Sequence, residues 1–349
     1  MQASGQVYVG AARAGSRFQG GIFRRGVEGG EWQQLTQGLP EETQVQAITP
    51  HPSEPGVLYL GTHTGIYKSD DAGDGWRRLP LPDENVQVWA IAFDPSNANV
   101  IYAGTQPVSI FRSEDAGESW QRLPVPQQPP RVTMDFPTRV MRIAVDPADS
   151  RSIYATLEVG GVIRSLDGGE TWDDCCKDLI DLASRPHLKS RIGSDTEIEG
   201  MMDGHALCVS AASPGTVYLA VRMGLFRSAD RAGHWQDMEV GRFSPLTYAR
   251  DVRVSPQDPS VLYTCLSPAA RSQDGSLYRS IDLGKTWSRF DRGIKAEATM
   301  MAVSLSRDDA DVVHCVSRSG QVFTTIDGGK TWSEDRLPEN VRDVYAVAN

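Results

Sequence analysis

Seven of the eight tryptophans of this 349-residue chain stand at one position of a repeated motif, which confines the chain to folds built from equal units. Trp32, Trp76, Trp120, Trp172, Trp235, Trp287 and Trp332 lie 44, 44, 52, 63, 52 and 45 residues apart. Each closes the pattern Ser/Thr-x-Asp-x-Gly-x-x-Trp. It is intact in Ser69-Asp71-Gly73-Trp76, Ser113-Asp115-Gly117-Trp120, Ser165-Asp167-Gly169-Trp172, Ser280-Asp282-Gly284-Trp287 and Thr325-Asp327-Gly329-Trp332. Ser228-Asp230-Trp235 carries Ala232 in place of the glycine, and the first copy keeps only Gly29 and Trp32. A period of this length with one strand-turn-strand signature per unit marks a repeat architecture.

Short apolar runs such as Ile66-Tyr67-Lys68, Ile110-Phe111-Arg112 and Leu225-Phe226-Arg227 precede the motif, and a second short strand follows it. The motif therefore reads as a hairpin turn. Asp71, Asp115, Asp167, Asp230, Asp282 and Asp327 accept turn amides, and the glycine supplies a positive φ. The tryptophan packs under the turn and closes the small core of its unit. These residues resemble the Asp-box (BNR) repeat of sialidases, sortilin-type receptors, the xyloglucanase family and photosystem II assembly factors. In that family the box is structural and lies away from the active face, so the resemblance implies no catalytic role for it.

Each unit also holds a strand like Val100-Ile101-Tyr102-Ala103-Gly104, preceded by an apolar strand ending in a polar-Pro turn, as in Ala90-Ile91-Ala92-Phe93-Asp94-Pro95. Four short strands per unit predict propeller blades. The chain opens in a second strand, Val7-Tyr8-Val9-Gly10, and closes on an unmatched first strand, Val344-Tyr345-Ala346-Val347-Ala348. The expectation is an all-β, seven-bladed β-propeller spanning 1–349 as one domain. Blade one is completed by the C-terminal strand, a one-plus-three closure that removes the open sheet edge.

Net charge is 35 − 45 = −10, which argues against nucleic acid or an anionic membrane as partner. No apolar run is long enough to span a membrane, and the opening Met1-Gln2-Ala3-Ser4-Gly5 lacks the pattern of a secretory signal. The odd set Cys175, Cys176, Cys208, Cys265 and Cys315 reads as reduced thiols, consistent with a cytoplasmic location. Neither these nor the six histidines show metal-ligand spacing, and no cofactor is expected.

In propellers the loops from second to third strand, and from fourth strand to the next blade, open on one face, opposite the box turns. Two long connections feed that face: a proline-rich one from Pro124 to Thr138 and an insertion at about 175–204, placed over the channel. Superimposing the units gives a loop ring of His63, Gln106, Glu158, Arg222, Ser267 and Arg318. A second ring, at the start of the innermost strand, holds Gln46, Trp89, Met141, His205, Arg250, Met301 and Tyr345. One residue further on, five blades carry alanine, whereas blades four and six carry Arg142 and Asp251. Charged groups where other blades tolerate only a methyl carry a desolvation cost, and such departures are expected at functional sites. The pair reads equally as an ion bridge across the channel.

Two function classes follow. One is a recognition module whose mouth binds an anionic small molecule, glycan or acidic protein segment through Arg142, Arg222, Arg250 and Arg318, with His63, Trp89, Glu158 and Tyr345 beside them. The other is a glycosidase-like hydrolase or lyase, with His205 as base, Asp251 as its orienter and Arg142 as anion clamp. A sialidase is disfavoured because the chain has no Arg-Ile-Pro segment, only Arg191-Ile192-Gly193 inside the insertion. The paired carboxylates of a xyloglucanase-like cleft are poorly matched too, so binding is preferred and catalysis stays open.

Overall fold

Each box forms the turn between the third and fourth strands of a four-stranded antiparallel sheet, and the chain builds seven such sheets. The computed structural model describes residues 5–13, 17–127, 129 and 131–349; residues 1–4, and Gln128 and Pro130 of the proline-rich connection, lie outside them. The innermost strands are Val344–Ala348 for blade one, Val45–Pro50, Gln87–Asp94, Val140–Asp146, Gly204–Val209, Tyr248–Val254 and Met300–Leu305 for blade seven. Each lies against the next and the last against the first, so the seven blades form a ring around a channel. In blade one the sheet order is Val344–Ala348, Gln6–Ala11, Gly21–Gly26, Gly29–Leu35. Among the described residues no helix is long and apolar enough to cross a membrane.

The box chemistry is visible in every intact copy. Ser113 Oγ donates to Asp115 Oδ1 and accepts the Gly117 N–H, both at 2.8 Å, while Asp115 accepts the Ser119 N–H. Gly117 sits at φ +96°, and a Cβ there would lie 2.7 Å from Leu79 of the preceding blade. That contact revises the expected role of the motif. The hydroxyls of Tyr8, Tyr59 and Tyr218 each donate at 2.9 Å to a box carbonyl of the following blade, those of Ala72, Ala116 and Leu283. Trp76 packs in one cluster with Tyr8, Ile22 and Leu35 of blade one. The box therefore seals the seam between units as well as the core of its own.

The imperfect fifth box is repaired from outside. Ala232 adopts φ +63°, and Trp235 Nε1 donates to the Cys175 carbonyl at 2.9 Å, where Trp120, Trp172 and Trp287 donate to the glycine of their own box. Asp178 accepts the Trp235 N–H at 3.2 Å. Both acceptors belong to the 175–204 insertion. Its helices, Lys177–Leu182 and Glu199–Met202, bury Leu179, Leu182, Met201 and Met202 with Val162 of blade four and Leu219 and Phe226 of blade five. The insertion is part of the core at this seam. All five cysteines are free thiols.

Around the channel, neighbouring blades match by size. In blades one to three the second strand carries Gly10, Gly61 or Gly104, where a Cβ would come within 2.7, 2.5 and 2.5 Å of Val45, Val88 and Val140 of the next blade. Between blades four and five the sizes are reversed: a Cβ on Gly204 would fall 1.8 Å from Thr156 Oγ1. Interiors packed at crystal density enforce such complementarity.

The boxes also set the acid limit of the fold. Hydrogen bonds, first from Ser119, Thr171, His234 and Thr331, hold Asp115, Asp167, Asp230 and Asp327 down at about 2, and Asp71 and Asp282 are lowered as well. A carboxyl depressed in the folded state contributes stability above its unfolded pKa of about 3.9 and loses it as pH falls through the folded value. Circular dichroism should therefore show the fold weakening steeply between about pH 4 and pH 2, and Asp115→Asn should flatten that slope. A pH dependence unchanged in the variant would remove the boxes from this account.

Candidate functional site

Every innermost strand carries a β-bulge at the same place. The register slips between Val45 and Ala47, Val88 and Ala90, Val140 and Arg142, Gly204 and Ala206, Ala249 and Asp251, Met300 and Ala302, and, through its partner strand, between Val344 and Ala346. The seven extra residues are Gln46, Trp89, Met141, His205, Arg250, Met301 and Tyr345. A bulged residue leaves the hydrogen-bond ladder and is re-aimed. All seven line the channel.

The mouth is where this ring meets the loops. Its walls include Trp89, Glu158, His205, Arg222, Arg250, Met301, Arg318 and Tyr345 from the sequence reading, joined by Arg139, Asp203, Tyr248 and Ala270. Asp203, 2% exposed, receives Arg222 Nη2 at 2.5 Å and lies 3.4 Å from His205 Nε2. Burial alone would raise its pKa, but His205, Arg222 and Arg250 hold it well below the usual carboxylate range. Glu158 is paired with Arg139, whose guanidinium lies 3.9 Å from the Trp89 ring centroid. Arg318 donates to Asp343 Oδ1 at 2.6 Å and to the Ala270 carbonyl at 3.0 Å. Arg250 differs. It lies 5.4 Å from the Tyr345 centroid, and among the described residues no carboxylate forms an ion pair with it. Tyr248, Tyr345, Glu158 and Asp203 raise its pKa against the opposing effect of burial.

His205 is 3% exposed and both of its ring nitrogens are engaged. Nδ1 is 2.7 Å from the Ala249 carbonyl, and Nε2 is 3.3 Å from the Tyr248 hydroxyl. Its acidic neighbour is Asp203. Asp251, the orienter expected from sequence, is committed elsewhere, one layer deeper. Asp251 Oδ1 accepts Arg142 Nη2 at 3.0 Å, Arg253 Nε at 3.1 Å and its neighbour's Val252 N–H at 3.0 Å. Oδ2 accepts Arg253 Nε at 3.1 Å and the Val303 N–H at 3.2 Å. The Arg142–Asp251 bridge crosses over blade five, whose residues there are the small Ala206 and Cys208. His63 is likewise not at the mouth: its Nδ1 accepts the Gln44 N–H at 3.1 Å, and burial lowers its pKa.

Arg139, Asp203 and Tyr248 share a register, two residues before the bulge; Gln44, Gln87, Thr299 and Asp343 complete that ring. Stepping two positions outward from the bulge, rather than one inward, would have revealed it. Two positions inward from Asp251 stands Arg253, where the other blades have Thr49, Ala92, Ala144, Cys208, Ser304 and Ala348. Among the described residues no group of three His, Cys, Asp or Glu side chains is placed to hold a metal.

The family described as photosynthesis system II assembly factor YCF48 matches residues 27–237, more than half of the chain. The GH74 enzyme of Niastella koreensis superimposes with TM-score 0.62 at 19% identity, covering 94% of this chain and 47% of its own. The chain thus spans about half the length of that enzyme. YCF48 from Cyanidioschyzon merolae gives TM-score 0.59 at 17% identity, with 90% of each chain covered. YCF48 bound to D1 peptide gives 0.55 at 14% identity, covering 87% of this chain and 83% of that one. At these identities the structural likeness carries the fold alone. No protein of curated function matches.

Proposed function

The chain belongs to the family of photosynthesis system II assembly factor YCF48, and from that premise we propose that it is a recognition propeller whose mouth receives an acidic protein segment. One observation carries the reading. Arg250 stands on a bulge among Trp89, Tyr248 and Tyr345 and lacks a carboxylate partner, while the cations around it are already paired. An unpaired guanidinium in a partly desolvated aromatic setting favours an incoming carboxylate, bound through two parallel N–H···O bonds. The D1 peptide in the YCF48 complex supports a protein segment as the occupant over a free small anion.

A hydrolytic reading has less behind it. It needs one carboxyl kept protonated as acid and a second free to act as base or nucleophile. Asp203 is held ionised by its neighbours and Glu158 is clamped by Arg139. His205, with both ring nitrogens occupied, is poorly placed to take a substrate proton.

Titration calorimetry with an extended Asp/Glu-rich peptide and its Asn/Gln counterpart tests the proposal. The acidic peptide should bind, weaken with rising salt, and lose about tenfold or more in affinity in Arg250→Ala, an effect of about 1.5–3 kcal/mol for a hydrogen bond to a charged group. Equal binding of both peptides, or an unaffected variant, would overturn it.

A further inference from the structure

Beneath the mouth the channel widens into a cavity of about 370 Å³ whose walls include Arg142, Arg250, Arg253 and Arg307. This is an unusual concentration of cations in a chain of net charge −10. Arg142 and Arg253 share the single carboxylate of Asp251, so this layer carries 2 − 1 = +1, with the Arg250 guanidinium directly above it. Asp251 has no capacity left, since both its oxygens already accept guanidinium and backbone donors. The charge excess is felt by Arg142, whose pKa falls to about 10 through burial and then through Arg253. Water filling the cavity would solvate these groups without neutralising them.

The donors are also oriented for more. Arg142 uses Nη2 for Asp251 and Arg253 uses Nε, which leaves Arg142 Nη1 and both terminal nitrogens of Arg253 without a hydrogen-bond partner among the described residues. The opposite walls are small: Ala47, Ala90, Ala92, Ala346 and Ala348 leave the space open. We propose that the channel holds a small dianionic oxyanion, of the phosphate or sulfate class, bound between Arg142 and Arg253 beneath Arg250. Its negative charge offsets the excess of Arg142 and Arg253 over Asp251 and draws on Arg250 above, and tetrahedral oxygens match guanidinium forks arriving from two blades. The site shares Arg250 with the mouth, but its two forks, Arg142 and Arg253, line only the cavity beneath, so it does not depend on a protein segment binding above.

The test is calorimetry and thermal melting of protein dialysed into chloride, titrated with inorganic phosphate or sulfate at constant ionic strength. Binding should saturate at one anion per chain, and the melting temperature should rise with concentration as expected for a ligand of the native state. Arg253→Met should weaken binding by about tenfold or more. Arg318→Ala, which alters only the mouth, should leave phosphate affinity unchanged while weakening the acidic peptide. Cys208 feels Arg253, Asp251 and Arg142 together, so Cys208→Asp supplies an internal carboxylate. That variant should melt higher than wild type without phosphate and respond little to it, and it decides the matter if Arg253→Met does not fold. A response no larger than that to chloride, or one equal in wild type, Arg253→Met and Cys208→Asp, overturns the proposal. Loss in Arg318→Ala alone would move the anion to the mouth and overturn it too. Because the peptide titration is read separately, either proposal can fail without the other.

Discussion

Asp251→Ala should lower the stability of the fold by about 3–5 kcal/mol, the cost of removing one partner from a buried charge cluster. Asp251 is 1% exposed and collects two guanidinium groups and two backbone N–H groups from blades four, six and seven. Without it Arg142 and Arg253 are left facing each other with no carboxylate between them, and the buried Val252 and Val303 amides lose their acceptor. Urea unfolding measures the effect. The triple variant Arg142→Ala, Asp251→Ala, Arg253→Ala should recover most of it, because it rebuilds the small-residue layer found in the other blades. A cost below about 1 kcal/mol in the single variant would mean that the layer is open to solvent and the bridge is no more than a surface pair.

Gly204→Val should be nearly as damaging, at about 3 kcal/mol, the upper part of the range for overpacking. The new Cβ would stand 1.8 Å from Thr156 Oγ1, and Thr156 is itself fully buried. Blades one to three show the alternative solution, glycine on the second strand and valine on the neighbour's first. Thr156→Gly in the same chain should therefore restore part of the loss, with a favourable coupling of about 1–3 kcal/mol in a double-mutant cycle. If the two substitutions add independently, the size match across this seam is not what sets the spacing of blades four and five. Since Asp203 and His205 flank Gly204, peptide binding should follow the same pattern of loss and recovery.

The parts of this molecule legible in its sequence are those whose chemistry is local. Ser113, Asp115, Gly117 and Trp120 fall within eight residues, so the turn they build and the count of seven units could be read directly. Which second-strand glycine faces which valine could not, because the partners are a blade apart and neither carries a motif. The box glycines hid their second role for the same reason: what they make room for, such as Leu79 beside Gly117, belongs to another unit.

The site divides in the same way. Superposing units found Trp89, His205, Arg250 and Tyr345 by position, yet the cause of their inward aim, an extra residue relative to the partner strand, exists only once two strands are paired. Arg142 and Asp251 stood out against a row of alanines, and their pairing is real. The third member, Arg253, sits on the next layer, outside the row of alanines, and the acid beside His205 is Asp203 rather than Asp251. His63 looked equivalent to Arg222 in register but is satisfied within its own loop by Gln44.

The recurrence of the bulge has a consequence for how such a disc acquires new partners. Each inward-aimed residue stands outside the ladder, so exchanging its side chain removes no backbone ladder hydrogen bond and shifts no neighbour's register. The frame and the lettering around its aperture are thus nearly independent. A glutamine, a tryptophan, two methionines, a histidine, an arginine and a tyrosine are one spelling of seven, and another could be substituted one character at a time while the disc stayed folded.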